Sequence, residues 1–290
     1  MVNIGIIILN YVSYDVTLNC VKYFRQQSKS NNINIKIIVV DNDSPNESFL
    51  VLNKKYSKSK DIEVVKTNKN LGFANGNNYG YKELIKYMNP DFVIMANSDA
   101  YVKKPGLYQW IQEEYKSYHY GILGPAIFSV NGNFYQSPIN NFSKNIRQIN
   151  KYKRKLQFGI FKSYIKKVLN LSTEQKIDKW DNPYFKEYHT DKTLHGAFQV
   201  FSKRYFNYYD LPYDSNTFLY MEEYILRLRC EKYSLPMVYS PNYEVAHLQA
   251  VSTNRVTKTN AARMLFKRKN MLKSLKAYTN FLNTNFREKN

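Results

Sequence analysis

Four short runs of aliphatic and β-branched residues, separated by stretches of helical spacing, restrict this chain's fold more than any other feature. The runs are Val2–Leu9, Ile35–Val40, Ile62–Thr67 and Asp91–Ala96. Between them Asp15–Gln27, Ser48–Tyr56 and Asn75–Tyr87 read as helices, the first with Val16, Leu18, Val21 and Phe24 towards a core. Strands apolar on both faces and spaced by helices predict a parallel sheet covered on both sides, an α/β fold. Such sheets bind ligands at the carboxyl ends of their strands. Each strand end here carries Asn or Asp: Asn10-Tyr11, Asp41-Asn42-Asp43, Asn68 to Asn78, and Asn97-Ser98-Asp99. Asn and Asp also favour plain turns, but four such clusters in register point to one polar crevice.

The remainder is less regular. Residues 101–125 read as helix ending in a turn at Gly124-Pro125, and regular structure resumes at Leu194. The Lys- and Tyr-rich segment 140–190 reads as a helical basic insertion, or arm. Residues 261–282 read as a basic amphipathic helix, with Met264, Leu265, Leu272, Leu275 and Leu282 near helical spacing. The expected division is a domain over 1–255 and a helical tail over 256–290.

The formal charge of +20 makes polyanions the natural partners: nucleic acid, anionic lipid or phosphorylated substrates. No zinc-finger or RNA-recognition signature supports nucleic acid. Cys20 and Cys230 lie far apart without a CxxC partner, which argues against a disulfide framework or a cysteine metal site and fits a reducing compartment. The apolar run at Ile4–Leu9 is too short for a signal peptide. No segment reaches the roughly 20 apolar residues needed to span a bilayer. The expected location is cytoplasmic, with any membrane contact peripheral at the inner face of the cell membrane. GxSxG, GxGxxG and the phosphate-binding P-loop are all missing, and the four histidines have no zinc spacing.

Asp99 closes the polar cluster that follows the buried strand 91–96, a place where Asp also favours a plain turn. Glu222-Glu223 follows the aromatic run Phe218-Leu219-Tyr220. A carboxylate there could take a proton as general base; two acids in a first helical turn are also favoured by the helix dipole alone.

The ordered set VVDNDS (39–44), NLGFANGNNYG (70–80), NSDA (97–100), HGAFQVFSK (195–203), FLYMEEYILRLR (218–229) and His247 resembles family 2 glycosyltransferases of the GT-A fold. It is most similar to the bacterial rhamnosyltransferase-like branch, over roughly residues 3–255. The resemblance implies a mostly parallel Rossmann-like sheet flanked by helices. It also implies an inverting, metal-dependent transfer from a nucleotide-diphosphate sugar to a glycan or lipid-linked glycan, in surface polysaccharide synthesis. The leading donor it suggests is dTDP-rhamnose; a UDP-hexose or UDP-galactofuranose is the alternative.

Carried onto this sequence, Asn10, Tyr11, Asp41 and Asn42 contact the nucleotide, and Asn70, Gly72, Asn75 and Asn78 shape the donor pocket. Asn97-Ser98-Asp99 stands in the DxD place, with Asn97 replacing its first acid. Asp99 and His247 hold Mn²⁺ or Mg²⁺, and His195-Gly196 borders the donor sugar and acceptor. Glu223 stands at the base position beside Glu222. A later acidic residue of the family is replaced by Ile225, while Arg229 keeps its place. These departures motivate a second reading, a nucleotide-sugar-binding pseudoenzyme. The basic stretches 151–167 and 261–282 suggest an anionic membrane surface as a further partner; alternatively, the C-terminal helix packs its apolar stripe against the catalytic domain.

Overall fold

The computed structural model describes residues 1–28, 30–168, 183–248 and 259–286. The β–α alternation of the first hundred residues is realised as β1 (Val2–Asn10), α1 (Tyr14–Arg25), β2 (Ile33–Asp41), α2 (Ser48–Tyr56), β3 (Ile62–Lys66), α3 (Gly72–Leu84) and β4 (Phe92–Asn97). These strands pair in parallel in the order β3-β2-β1-β4. Side chains alternate across β1 and so serve two cores. Ile4, Ile6 and Ile8 pack with Val16, Phe24 and Leu52 from α1 and α2. Ile7 faces the other way, to Ala74, Tyr81 and Leu84 of α3. A strand buried on both faces has to be aliphatic throughout, which is why the first hundred residues read so plainly.

The chain continues through β5 (Ala100–Tyr101), α4 (Leu107–Tyr118), β6 (Ile122–Ser129), β7 (Phe134–Tyr135) and α5 (Ile146–Val168). After a 3-10 turn at Pro183–Lys186 come β8 (Phe198–Ser202), α6 (Lys203–Phe206), α7 (Glu222–Lys232), β9 (Met237–His247) and α8 (Asn260–Phe286). The sheet extends as β4-β8-β6-β9-β5, with β7 on β6. β8 runs antiparallel between β4 and β6, so the sheet is mixed, though parallel pairs carry most of its ladder.

Three expectations change. Helix α3 begins at Gly72 rather than Asn75, because the carbonyl of Phe218 accepts the Phe73 N–H at 2.6 Å and starts the helix from outside. The segment 101–125 is helical only in α4. Gly124-Pro125 is not a turn but lies inside β6, where the register against β9 shifts between Pro125 and Ala126. Pairing with β8 ends at Leu123, so the amide hydrogen that Pro125 lacks is not missed on that edge.

Helix α8 packs its apolar stripe inward. Leu275, Tyr278 and Leu282 bury against Ile149 and Leu156 of α5 and Ile225 and Leu228 of α7; Met264 stays exposed. The C-terminal helix therefore follows the packing alternative. The expected boundary at 255/256, Ser252 and residues 169–182 of the basic segment lie outside the described residues. Among the described residues no helix is long and apolar enough to cross a membrane. Cys20 and Cys230 are both buried and free.

Candidate active site

Sheet topology assembles the site. β1, β2 and β4 end together, with Asn10 beside Asp41 and Leu9 beside Asn97. Because β8 is antiparallel, the segment entering it, His195-Gly196-Ala197, starts at that same end, where Phe198 pairs with Ala96. β9 is parallel to β6 and ends on His247, which pairs with Ala100 just past β4. This end of the sheet thus collects residues from distant parts of the chain.

Its first region, at the ends of β1 and β2, is internally satisfied. Asn10 Nδ2 donates to Asp41 Oδ2 at 2.7 Å, and Asn10 Oδ1 accepts from Thr17 Oγ1 at 2.8 Å. Asp41 Oδ1 accepts the Ser44 N–H at 2.9 Å. Both Asn10 and Asp41 are fully buried. Tyr11 sits half-buried in the bend that follows, its carbonyl accepting from Ser13 Oγ at 2.9 Å. Asn42 clamps the next loop: its Oδ1 accepts from Leu71 N and Thr67 Oγ1, and its Nδ2 donates to Asn70 Oδ1 and Gly72 O.

Gly72 is required as glycine. Its φ of +77° is left-handed, and a Cβ there would stand 2.2 Å from Phe218 O. Asn75 and Asn78, one and two turns into α3, direct their amides at the backbone of 213–217. Asn75 Nδ2 donates to Ser215 O at 3.0 Å, and Asn78 exchanges two bonds with Tyr213, both 3.0 Å. The NLGFANGNN loop therefore does structural work at these residues: it holds the segment that leads to the glutamates.

The second region is differently built. Tyr220 and Met221 have φ of +69° and +71°. Two successive non-glycine residues in the left-handed region cost about 1–3 kcal/mol each. They are held by the Phe218–Phe73 bond, by Ser274 Oγ donating to Leu219 O at 3.1 Å, and by burial of Met221 against α5 and α8. This turn starts α7 and sets Glu222 and Glu223 at its first residues.

Glu222 is buried, and its Oε1 has no hydrogen-bond partner among the described residues. Burial and then the neighbouring Glu223 push its carboxyl well above the usual range. Burial also raises Glu223, but its own N–H and the Gly196 N–H donate to its carboxylate and oppose the rise. Gly196 fits so closely that a Cβ would lie 2.7 Å from Glu223 Oε1. Ile225 is buried among the side chains of α5 and α8. An acid at that position would have to enter an apolar cluster, which accounts for the departure from the family pattern. Arg229 stands outside the crevice floor: it donates to Tyr205 Oη and Leu211 O, both at 3.1 Å, and lies over the Tyr209 ring.

Beside Gly196, the Asn97 N–H donates to Ala197 O at 2.9 Å. Ser98 and Asp99 are buried in the turn between β4 and β5. Asp99 Oδ1 lies 3.2 Å from His247 Nε2, while His247 Nδ1 lies 2.7 Å from Gln136 Oε1. An amide oxygen only accepts, so Nδ1 carries the ring hydrogen. That leaves the Nε2 lone pair beside a carboxylate oxygen, two donors that a metal ion could bind together. The donors, one carboxylate and one imidazole, suit Mn²⁺ or Mg²⁺ completed by phosphate oxygens and water. Among the described residues no three His, Cys, Asp or Glu side chains converge as a metal cage.

His195 packs edge-on against His247 at 5.7 Å between ring centres. Its Nδ1 accepts the Ala197 N–H at 3.1 Å. Burial and then His247 push His195 down to about 3 against the pull of Asp99, so it is neutral at physiological pH.

Asn10, Tyr11, Asp41, Asn42, Asn97, Ser98, Asp99, His195, Gly196 and His247 fall at this end of the sheet, whereas Gly72, Asn75 and Asn78 lie in α3 and Glu222-Glu223 open α7. Gln136 and Thr17 lie outside every quoted motif, and Ser44 and Phe218 lie inside quoted motifs but had no role assigned there. Gln136 comes from the loop after β7 and carries no local signature.

The sequence model of the family described as Glycosyl transferase family 2 matches residues 5–208. That span contains the crevice as far as Gly196 and stops before Glu222, Glu223 and His247. No curated protein is significantly similar in sequence. Solved structures of similar fold include TarS of S. aureus, at 14% identity and a TM-score of 0.53, covering 88% of this chain and 38% of that one. TarS 1–349 of S. aureus in complex with UDP has 14% identity and a TM-score of 0.54, covering 92% and 71%. GalNAc-T7 with UDP, GalNAc and Mn²⁺ has 11% identity and a TM-score of 0.59, covering 85% and 44%. This chain therefore spans well under two thirds of the full TarS chain. With the family matched over more than half its length and the GT-A-like sheet in place, the chain belongs to glycosyltransferase family 2.

Proposed function

We propose that this enzyme inverts the anomeric centre of its donor sugar, with Glu223 as general base and a divalent metal at Asp99 and His247. The observation that carries the reading is the meeting of three things around Gly196-Ala197: the Glu223 carboxylate, the neutral His195, and the Asp99–His247 lone pairs. Glu223 is assigned as base rather than Glu222 because its carboxyl is raised less: its own N–H and the Gly196 N–H oppose the effect of burial, whereas at Glu222 burial and the neighbouring Glu223 outweigh the bonds from its own N–H and Thr217.

In the proposed reaction Glu223 takes the proton of the acceptor hydroxyl. The acceptor oxygen bonds to the anomeric carbon as that carbon's bond to the diphosphate oxygen breaks, and the nucleoside diphosphate leaves. The metal, when bound, would neutralise the charge developing on the diphosphate. Protonated Glu222 keeps a second negative charge away from Glu223. The nucleoside is assigned to the pocket of Asn10, Tyr11 and Asp41, bordered by the Asn42–Asn70 loop.

Among donors, dTDP-rhamnose follows from the sequence resemblance. UDP sugars are the second reading, favoured by the UDP present in the TarS 1–349 and GalNAc-T7 structures. The acceptor is proposed as a glycan or lipid-linked glycan of a surface polysaccharide. The test is binding of a panel of nucleotide sugars with Mn²⁺, Mg²⁺ or EDTA, using wild type and Asp99→Ala. One donor should bind metal-dependently, and Asp99→Ala should weaken it by at least about tenfold. Metal-independent binding that Asp99→Ala leaves unchanged refutes the metal assignment. Donor binding without turnover on glycan acceptors would favour the pseudoenzyme.

A further inference from the structure

Helix α5 carries two stripes of opposite character at heptad spacing. Ile149, Tyr152, Leu156, Gly159 and Ser163 face α8, where the Arg268 guanidinium bonds Gly159 O at 2.9 Å and also reaches Ser163 Oγ. On the opposite side, Lys151, Arg154, Phe158, Phe161 and Ile165 are all exposed. Phe158 and Phe161 show 70% and 63% of their surface to solvent. Single exposed apolar residues need no explanation, but two phenylalanines and an isoleucine aligned on one helix face do.

Charge identifies the occupant. Residues 146–168 contain eight Lys or Arg and no Asp or Glu; residues 260–286 contain six and none. The pair of helices is thus cationic without internal compensation. Along the outer stripe the character changes from Lys151 and Arg154 at one end to Phe158, Phe161 and Ile165 at the other, with Lys162 at its flank. Aromatic and aliphatic side chains reach the acyl boundary of a bilayer while neighbouring lysines stay at the phosphates.

We infer that the outer face of α5 is a docking surface for an anionic phospholipid bilayer, lying in the headgroup region with Phe158, Phe161 and Ile165 inserted. The inference does not depend on the donor or metal assignment. It differs from a basic C-terminal anchor, because the apolar stripe of α8 is spent on the protein.

Co-flotation of the full chain with phosphatidylcholine vesicles, with and without phosphatidylglycerol, tests this. Binding is expected only with phosphatidylglycerol and should weaken as salt rises. Lys151→Gln with Arg154→Gln should reduce the partition coefficient about 20- to 30-fold, at about 1 kcal/mol per basic residue. Phe158→Ala with Phe161→Ala should reduce it at least about tenfold, with an unchanged melting temperature because both side chains are exposed. No binding to anionic vesicles at low salt overturns the inference. So does binding that is indifferent to the two phenylalanines, which would mark a plain polyanion patch. Phenylalanine-dependent dimerisation, or phenylalanine-dependent RNA binding, without vesicle binding would assign the stripe to a second copy or to nucleic acid instead.

Discussion

The two regions of the crevice use polar residues in opposite ways. At the ends of β1 and β2, Asn10, Asp41 and Asn42 have their side-chain atoms engaged with one another, with Thr17 and Ser44, or with the backbone of the following loop. At the start of α7, Glu222 is buried with an orphaned oxygen, two residues before it are held left-handed, and two carboxyls crowd each other. A satisfied buried network rigidifies, whereas uncompensated polar groups are costly in the resting protein. On the proposed assignment the first region is the rigid wall of the nucleotide site, and the second holds strain and a buried carboxyl pair where the proton would move.

Substitutions should separate these roles, showing in rate at one region and in stability at the other. The largest effect is expected for Glu223→Gln, which should lower kcat by about 10²–10⁴ with donor affinity little changed. If Glu222→Gln has that effect and Glu223→Gln does not, the base is Glu222 and the division within the pair is reversed. Next comes Gly196→Ala. Its methyl group must displace the Glu223 carboxylate from the 2.7 Å contact, and a shift of this size costs about 10²-fold in kcat. Steady-state kinetics at saturating donor would show it; an unchanged kcat means the carboxylate position is not critical.

Asp41→Asn should act differently. It turns an acceptor into a group with donors beside Asn10 Nδ2 and the Ser44 N–H, costing about 1–3 kcal/mol of folding stability in urea titration. Donor KM should rise while kcat holds within about tenfold. A normal melting profile with collapsed kcat would break the comparison.

The smallest effect is expected for Glu222→Gln on stability. The folded-state pKa of Glu222 is raised, so the stability of its neutral form is complete below the unfolded value of about 4.3 and lost as pH rises through the folded value. Glutamine does not titrate. The variant should therefore gain on wild type with rising pH, as denaturation across a pH series would show.

Local pattern determined a good deal of this molecule. The aliphatic runs announced β1 to β4 because strands buried on both faces admit few other side chains, and the Asn and Asp clusters marked their carboxyl ends. The ordered motifs brought Asp99, His195, Glu223 and His247 into consideration together. Tertiary structure decided what each residue meets. Asn75 and Asn78 bond the backbone of 213–217 because α3 begins earlier, from a carbonyl 145 positions away in the chain. Gly124-Pro125 joins a strand because a register shift accommodates it there. Gln136 meets His247 across 111 positions, and Ile225 is apolar because α8 folds back over it. Periodicity records which face of an element is buried; it carries no record of which distant segment buries it, and the second region of this site is made entirely of such meetings.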